Sequence, residues 1–273
     1  MRERSNADTG DWCSSVHRVS LRLMINEHLR SIREFEANAI VPWLPADGTL
    51  LEIGAGAGWQ AQIFRQRGLR VFAIDVASSE YLVHSRFPTV RYDGSRIPFA
   101  EATFDIVYSS NVLEHIKDIE DFHYEMLRVL KRDGIMIHVL PTASWRLSTS
   151  AAHYAYLAKA IIRRLTAGSV DKQGAVSSRR RPRLRHWLSA VRSVLPRRHG
   201  EFGNWFTEVY YFSRFRWLRL FRRLGLTLHA YTRLGLCYTG YSVFDARLPL
   251  RTRAHLGRLF GSAGQVFVLR RGC

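Results

Sequence analysis

The run Leu50-Leu51-Glu52-Ile53-Gly54-Ala55-Gly56-Ala57-Gly58 leaves this chain few folds to choose from. Leu50, Leu51 and Ile53 form a short apolar stretch of the kind found in a parallel strand covered on both faces. Three glycines at alternate positions follow, and they remove every Cβ from one side of the turn. Such a turn admits positive φ and lets a ligand lie against bare backbone. The residues after it, Trp59 to Arg65, suit a helix, so a nucleotide-like ligand would meet backbone N–H groups at a helix start. Glycine turns also serve ordinary strand-to-helix connections. Glu52 tips the balance, because a carboxylate within an apolar strand is costly without a partner. It stands at the carboxyl end of the strand, where open α/β sheets bind ligands. The spacing departs from the dinucleotide fingerprint, since Gly58 follows Gly56 by two residues rather than three.

Further along, Arg70 to Ile74 reads as a second strand with Asp75 at its end and Val76 beside it. An acid about twenty residues beyond the glycines accepts hydrogen bonds from ribose hydroxyls in doubly wound folds. A helix N-cap is the other role open to Asp75. Thr89 to Tyr92 reads as a third strand, followed by Asp93-Gly94-Ser95. Ile97-Pro98-Phe99, then Phe104-Asp105, lead into a fourth strand at Ile106 to Tyr108, which runs into Ser109-Ser110-Asn111-Val112-Leu113-Glu114-His115. Asp118 to Lys131 predicts a helix with Ile119, Phe122, Met126, Leu127 and Leu130 on one face. Asp133-Gly134 turns it into a fifth strand, Ile135 to Leu140.

The motif Glu-x-Gly-x-Gly-x-Gly, the Asp-Gly-Ser after strand three and the "IPF" and "LRVLKRDGIMIHVLP" segments together resemble the class I S-adenosylmethionine (SAM)-dependent methyltransferases, the type 11 group above all. The resemblance runs collinearly from about residue 45 to 142. It implies a Rossmann-like α/β fold. The seven-stranded, mostly parallel sheet would run in the order 3-2-1-4-5-7-6, with helices on both faces. It implies SAM as cofactor, held by Glu52, Gly54, Ala55, Gly56, Gly58, Asp75 and Val76. Asp93, Gly94 and Ser95 would meet the adenine, and Ser110 and Asn111 the methionine end. No metal is implied.

Residues 1–16 read as a polar, disordered tail and 17–273 as a single domain. Leu21, Ile25, Leu29, Ile32, Phe35 and Ala39 recur at helical spacing and are stopped by Pro42 and Pro45. The resemblance implies that this leading helix closes over the SAM site. Residues 142–203 read as a basic helical insertion or cap. Within it, Gly168 to Arg183 is a polar loop. Leu184, Trp187, Leu188, Val191, Val194 and Leu195 then share one helical face among arginines. That is the pattern of an interfacial membrane helix and equally of a cap packed on a core. Ser213 to Leu224 predicts a helix, and Thr227 to Thr232 and Gln265 to Arg270 the last two strands.

Charge is unevenly placed. Residues 1–140 hold 16 basic and 19 acidic residues, net −3, while 141–273 hold 25 and 4, net +21. The second half suits an anionic partner: a membrane surface, a phosphorylated glycan carrier or nucleic acid. The arginine bias of a GC-rich genome accounts for part of this. Cys13, Cys237 and Cys273 are far apart and fit a reducing cytoplasm. The start lacks the apolar stretch of a secretory signal, and no run reaches the roughly 18 apolar residues of a spanning helix.

A sulfonium methyl needs positioning more than activation, and a base only where the acceptor must lose a proton. His115, His199 and Glu201 are the candidate bases, the last two near Trp205 and Phe206. The reading that follows is transfer to an O or N of a small-molecule or glycan- or lipid-linked acceptor, at or near the inner membrane face. Nucleic acid is the less favoured acceptor, because no Asn-Pro-Pro-Tyr-like motif follows strand four. A non-catalytic binding protein on the same fold is the third reading.

Overall fold

The computed structural model describes residues 27–167, 195–196, 198–240 and 248–272. The expected tail 1–16, the polar loop 168–183 and the amphipathic helix around Trp187 lie outside the described residues.

The architecture follows from strands whose successive side chains point to opposite faces. In β1 (Thr49–Ile53) both kinds of position are apolar and every residue is buried. Leu51 joins a core cluster on one face and Leu50 a second cluster on the other. Val107 and Ile106 of β4 (Phe104–Ser110) divide in the same way, as do Met136 and Ile137 of β5 (Leu130–Pro141). Only a sheet covered by helices on both sides satisfies such strands. With β2 (Arg70–Val76), β3 (Thr89–Tyr92), β6 (Leu226–Arg233) and β7 (Gly264–Arg271), the sheet runs β3-β2-β1-β4-β5-β7-β6, the order expected. All pairings are parallel except those of β7, which is antiparallel to both β5 and β6.

One face is covered by helix α1 (27–40) and α2 (Trp59–Gln66). The other is covered by α3 (Ile119–Val129) and, beyond α4 (Ala143–Ala167) and the single turn α5 (Glu208–Tyr211), by α6 (Arg214–Arg223). Ser213 caps α6 by accepting from the Arg216 N–H at 3.2 Å. Helix α7 (Leu250–Phe260) stands in the excursion between β6 and β7.

The boundary between α3 and β5 differs from the expectation. The helix ends at Val129, not Lys131, and Leu130 is already extended (ψ 132°) and pairs with Phe104. Leu130 is buried in the same core cluster as the α3 stripe, so the helical spacing included it for the right burial but the wrong element. Asp133-Gly134 then lies within β5, where the register slips between Phe104 and Ile106. Between β2 and β3 the chain forms a 3-10 turn at Glu80–His84.

Two histidines sit inside the α3 face. His123 Nδ1 donates to the Ile119 carbonyl at 2.7 Å, and His138 Nδ1 lies 2.8 Å from Ser109 Oγ. Both are fully buried, 5.7 Å apart ring to ring, with Phe221 against both. Burial holds His123 down at about 4 and His138 well below the ordinary histidine value. Their folded pKa values lie below their unfolded ones, so the stability they carry is present above about pH 6.5 and lost as pH falls toward 4. Denaturant titrations of the wild type and His123→Leu should diverge through that window, the unfolding free energy of the wild type falling by about 3 kcal/mol relative to the variant on account of His123. An equal fall in both proteins would refute the assignment.

Candidate active site

Beneath α1, at the carboxyl ends of β1, β2, β3 and β4, lies a cavity of about 1300 Å³. Gly54, Ala55, Gly56, Asp75, Val76, Asp93, Gly94, Ser95, Ser110, Asn111, His115 and His199 all line it. Residues spread over 145 positions of sequence are thus brought to one site. Glu52, Gly58 and Glu201 stand outside its wall.

The glycine turn is shaped by what presses on it. Gly54 has φ +71°, and a Cβ there would lie 2.3 Å from Val112 Cγ2. Gly58, the N-cap of α2, has φ +74°, and a Cβ would meet Phe87 Cβ at 2.5 Å. Only glycine fits either place. Four N–H groups of the turn are already engaged. Gly54 and Ala55 donate to the Ile74 carbonyl, Gly58 to Ala55, and Gly56 to Asp75 Oδ2 at 2.7 Å. The glycines therefore offer a ligand bare surface rather than the row of free donors that a phosphate needs.

Asp75 is held by that bond, by the Val76 N–H at 2.7 Å and by the Ser79 hydroxyl at 3.2 Å. It is 7% exposed and keeps its carboxylate at the cavity wall. Asp93 accepts from the Ser95 and Arg96 N–H groups, the Ser95 bond leading the effects that lower its pKa. Glu52 is sealed at 2% exposure behind the turn, where the backbone of Ala61 in α2 offsets part of the cost of its burial. Burial pushes its carboxyl up to about 8, so it braces the turn as a neutral acid near pH 7.

At the end of β4, Asn111 adopts φ +54°, a left-handed conformation that asparagine tolerates better than most residues. Beside it a polar network joins three distant segments. Arg33 of α1 donates to Glu36 Oε2 at 2.6 Å and to Ser110 Oγ at 3.2 Å. Ser110 donates to Glu36 at 2.9 Å, and the Tyr238 hydroxyl donates to Glu36 Oε1 at 3.1 Å. Arg33 and Tyr238 line the cavity, and Arg33 is the guanidinium that a ligand carboxylate could meet. Sequence reasoning missed all three. The one available signal was Arg33 and Glu36, an i,i+3 pair of opposite charges on a helix otherwise read for its apolar stripe.

Across the cavity, residues 198–201 dock onto the 3-10 turn Leu113–His115. The Glu201 N–H donates to the Glu114 carbonyl at 2.9 Å, and a Cβ on Gly200 would lie 2.9 Å from that oxygen. Glu208 of α5 clamps the loop from below. Its Oε1 accepts from the N–H groups of His199 at 2.6 Å and Gly200 at 2.7 Å. Its Oε2 pairs with Arg146 of α4 at 3.1 Å, both side chains being buried. The imidazoles of His115 and His199 are thereby set 4.8 Å apart, with Trp145 4.6 Å from the latter. Burial lowers both histidine pKa values, His199 to about 4 with help from His115. Near pH 7 both are neutral bases. Glu201 turns toward Arg198, 4.0 Å away.

The residues present fit SAM. The wall has bare glycine backbone, an acid at the end of β2, an Asp-Gly-Ser after β3 and a guanidinium near the end of β4. The volume exceeds that of one typical ligand site and leaves room for an acceptor.

Comparisons with known proteins agree. Residues 51–138 match the family model described as a methyltransferase domain. An uncharacterized methyltransferase of Mycobacterium tuberculosis is 31% identical over 189 residues, which cover 60% of this chain and 71% of that protein. One from Mycobacterium leprae is 34% identical over 99 residues, 34% of this chain and 37% of that protein. Among solved structures, an S-adenosylmethionine-dependent methyltransferase from Mesorhizobium loti aligns with a TM-score of 0.51 at 15% identity, covering 86% of this chain and 96% of its own. A Burkholderia thailandensis 1,6-didemethyltoxoflavin-N1-methyltransferase, with S-adenosylhomocysteine bound, aligns with a TM-score of 0.50 at 13% identity, covering 99% and 94%. These two show a shared fold. With the fold, the cavity and the Mycobacterium relative together, the chain belongs to the methyltransferase-domain family and is a class I SAM-dependent methyltransferase.

Proposed function

We propose that the enzyme methylates an O or N atom of a small-molecule or glycan- or lipid-linked acceptor. The observation that carries this is the His115–His199 pair, 4.8 Å apart ring to ring, in the same cavity as the glycine turn and Asp75. Bound SAM supplies a methyl group on a positively charged sulfur. The chain's part is to orient the acceptor and take up its proton. Trp145, Cys237 and Tyr238 add a half-apolar wall on the histidine side, suited to a ring or an alkyl portion. Helix α1 and residues 237–240 form part of the cavity wall on the acceptor side. We read residues 142–203 as the cap that selects the acceptor.

A lipid-linked acceptor at an anionic membrane surface is supported by two features. The half beyond residue 140 carries net +21. Leu147, Tyr154, Tyr156, Ile161 and Ile162 stand exposed on α4. No helix among the described residues is long and apolar enough to cross a membrane, so contact would be peripheral.

The test is methyl transfer from radiolabelled SAM to a bacterial lipid and glycolipid extract presented on anionic vesicles, with total RNA as the competing acceptor. Label should enter the lipid-soluble fraction. Asp75→Ala should weaken S-adenosylhomocysteine binding by roughly tenfold or more, at least about 1.4 kcal/mol, and remove the transfer. Label confined to RNA would overturn the acceptor assignment.

A further inference from the structure

Between the two histidines and behind them stands Glu114. Its side chain is 1% exposed, and neither carboxylate oxygen has a hydrogen-bond partner on another of the described residues. Burying a carboxyl with both oxygens unserved is costly, and proteins rarely leave one so. The nearby guanidinium groups are directed elsewhere, Arg33 to Glu36 and Arg146 to Glu208. What Glu114 does face is His115 Nε2 and His199 Nε2, each 3.9 Å from its Oε1. One ligand atom from each of the three residues falls within 4.8 Å of the others. These separations are too long for hydrogen bonds and too regular in their convergence to suit packing alone.

We propose that Glu114, His115 and His199 form a binding site for a divalent transition-metal cation beside the methyl-transfer cavity. Two imidazoles and one carboxylate select borderline cations such as Zn2+, Co2+, Mn2+ or Fe2+ over Mg2+ and Ca2+, which prefer oxygen alone. Two ligand atoms on a tetrahedral Zn2+ lie about 3.4 Å apart, given bonds of roughly 2.0–2.1 Å. The two Glu114–histidine distances of 3.9 Å need to close by about half an ångström, and the widest separation in the set, within 4.8 Å, by up to about 1.4 Å, which rotation of the two partly exposed histidine side chains can supply. The positions are otherwise prepared. The backbone around His199 is pinned by Glu208, and the carbonyl of Glu114 is pinned by the Glu201 N–H. Such support of the ligands from outside the coordination sphere is what metal sites require.

Three protein ligands leave coordination positions open, and both histidines line the cavity. The ligand class that fits there is a hydroxyl-bearing acceptor. This deepens the acceptor assignment above and rests on it for the chemistry, though the cation site itself does not. With both Nε2 atoms on the cation, the histidines hold it in place of accepting the proton, and a hydroxyl oxygen on the cation loses its proton to water more readily than a free one. The oxygen lone pair then forms the new C–O bond to the methyl carbon. The C–S bond breaks, and its electron pair goes to sulfur, which becomes a neutral thioether.

The test uses the full chain, untagged and stripped with chelator, titrated with Co2+. The expected result is one equivalent bound per chain with the visible absorption of a site containing nitrogen and oxygen ligands. Glu114→Gln keeps the shape of the side chain and should weaken Co2+ binding by about 100-fold. His199→Ala should do the same. Both variants should bind S-adenosylhomocysteine within about twofold of wild type, which reports that the fold and the cofactor side are intact. Absence of saturable Co2+ binding in the wild type would overturn the proposal. So would equal Co2+ affinity in the wild type and in whichever variant retains S-adenosylhomocysteine binding. Loss of S-adenosylhomocysteine binding by the wild type would instead strike the methyltransferase assignment and leave the cation result standing.

Discussion

Gly54→Ala should abolish useful cofactor binding while leaving the protein folded. Two separate penalties meet at this position. The backbone sits at φ +71°, where a residue with a Cβ pays about 1–2 kcal/mol. The added methyl would also lie 2.3 Å from Val112 Cγ2, well inside contact distance. Val112 cannot simply swing away, because a β-branched side chain has few χ1 choices. It also sits between Asn111, itself at positive φ, and the Leu113–His115 turn. The turn must therefore shift, and with it the Gly56 N–H that holds Asp75. Titration with S-adenosylhomocysteine should show affinity lowered at least 30-fold, about 2 kcal/mol. The double variant Gly54→Ala, Val112→Ala separates the two penalties. It should recover the steric part and not the backbone part, a partial return of roughly five- to tenfold. Full recovery would mean that strain at φ +71° contributes nothing. No recovery would mean that Val112 does not set the turn.

That the glycine turn, Asp75 and Asp93-Gly94-Ser95 gather at one cavity was legible in the sequence because these signals are local. A glycine must be where the backbone turns left-handed, an acid must end β2, and each motif lies within a few residues of its strand. The apolar runs of β1, β4 and β5 likewise announced a sheet buried on both faces, and the order of elements did the rest. The acceptor half was not legible in the same way. Glu114 read as part of a loop motif because nothing local shows that its carboxyl would be sealed with two histidines, one of them 85 positions away. His115 and His199 were each visible as candidate bases, but their partnership was not. Glu201 was chosen for its chemistry, and it is its backbone N–H that serves the site, on the Glu114 carbonyl. The Arg33–Glu36–Ser110–Tyr238 network spans 205 positions and three segments, so no periodicity could expose it. The shared lesson is physical. Backbone requirements leave marks on neighbouring residues, whereas desolvated polar clusters assemble from residues whose neighbours look ordinary.

Glu208→Ala should produce the largest loss of stability among single polar substitutions at the site, and it should strike the acceptor side selectively. The carboxylate serves three groups at once: the His199 N–H, the Gly200 N–H and the Arg146 guanidinium. Its removal leaves a charge 1% exposed with the Trp205 carbonyl, at 3.0 Å, as a remaining acceptor. Removing one partner of a buried pair costs about 3–5 kcal/mol, chiefly because the other charge stays behind. For a chain of this size the melting temperature should fall on the order of 10 °C. Glu208→Gln keeps an acceptor for the two N–H groups and should lose roughly half as much. Arg146→Met together with Glu208→Leu removes both charges and should recover much of the stability without restoring the clamp on His199. That combination isolates function from folding. If Glu208 acts by positioning His199, the recovered double variant should bind S-adenosylhomocysteine normally and still fail in methyl transfer. If it transfers methyl at the wild-type rate, the clamp is structural only, and His199 reaches its place by the packing of Trp145 and Phe212 against its ring.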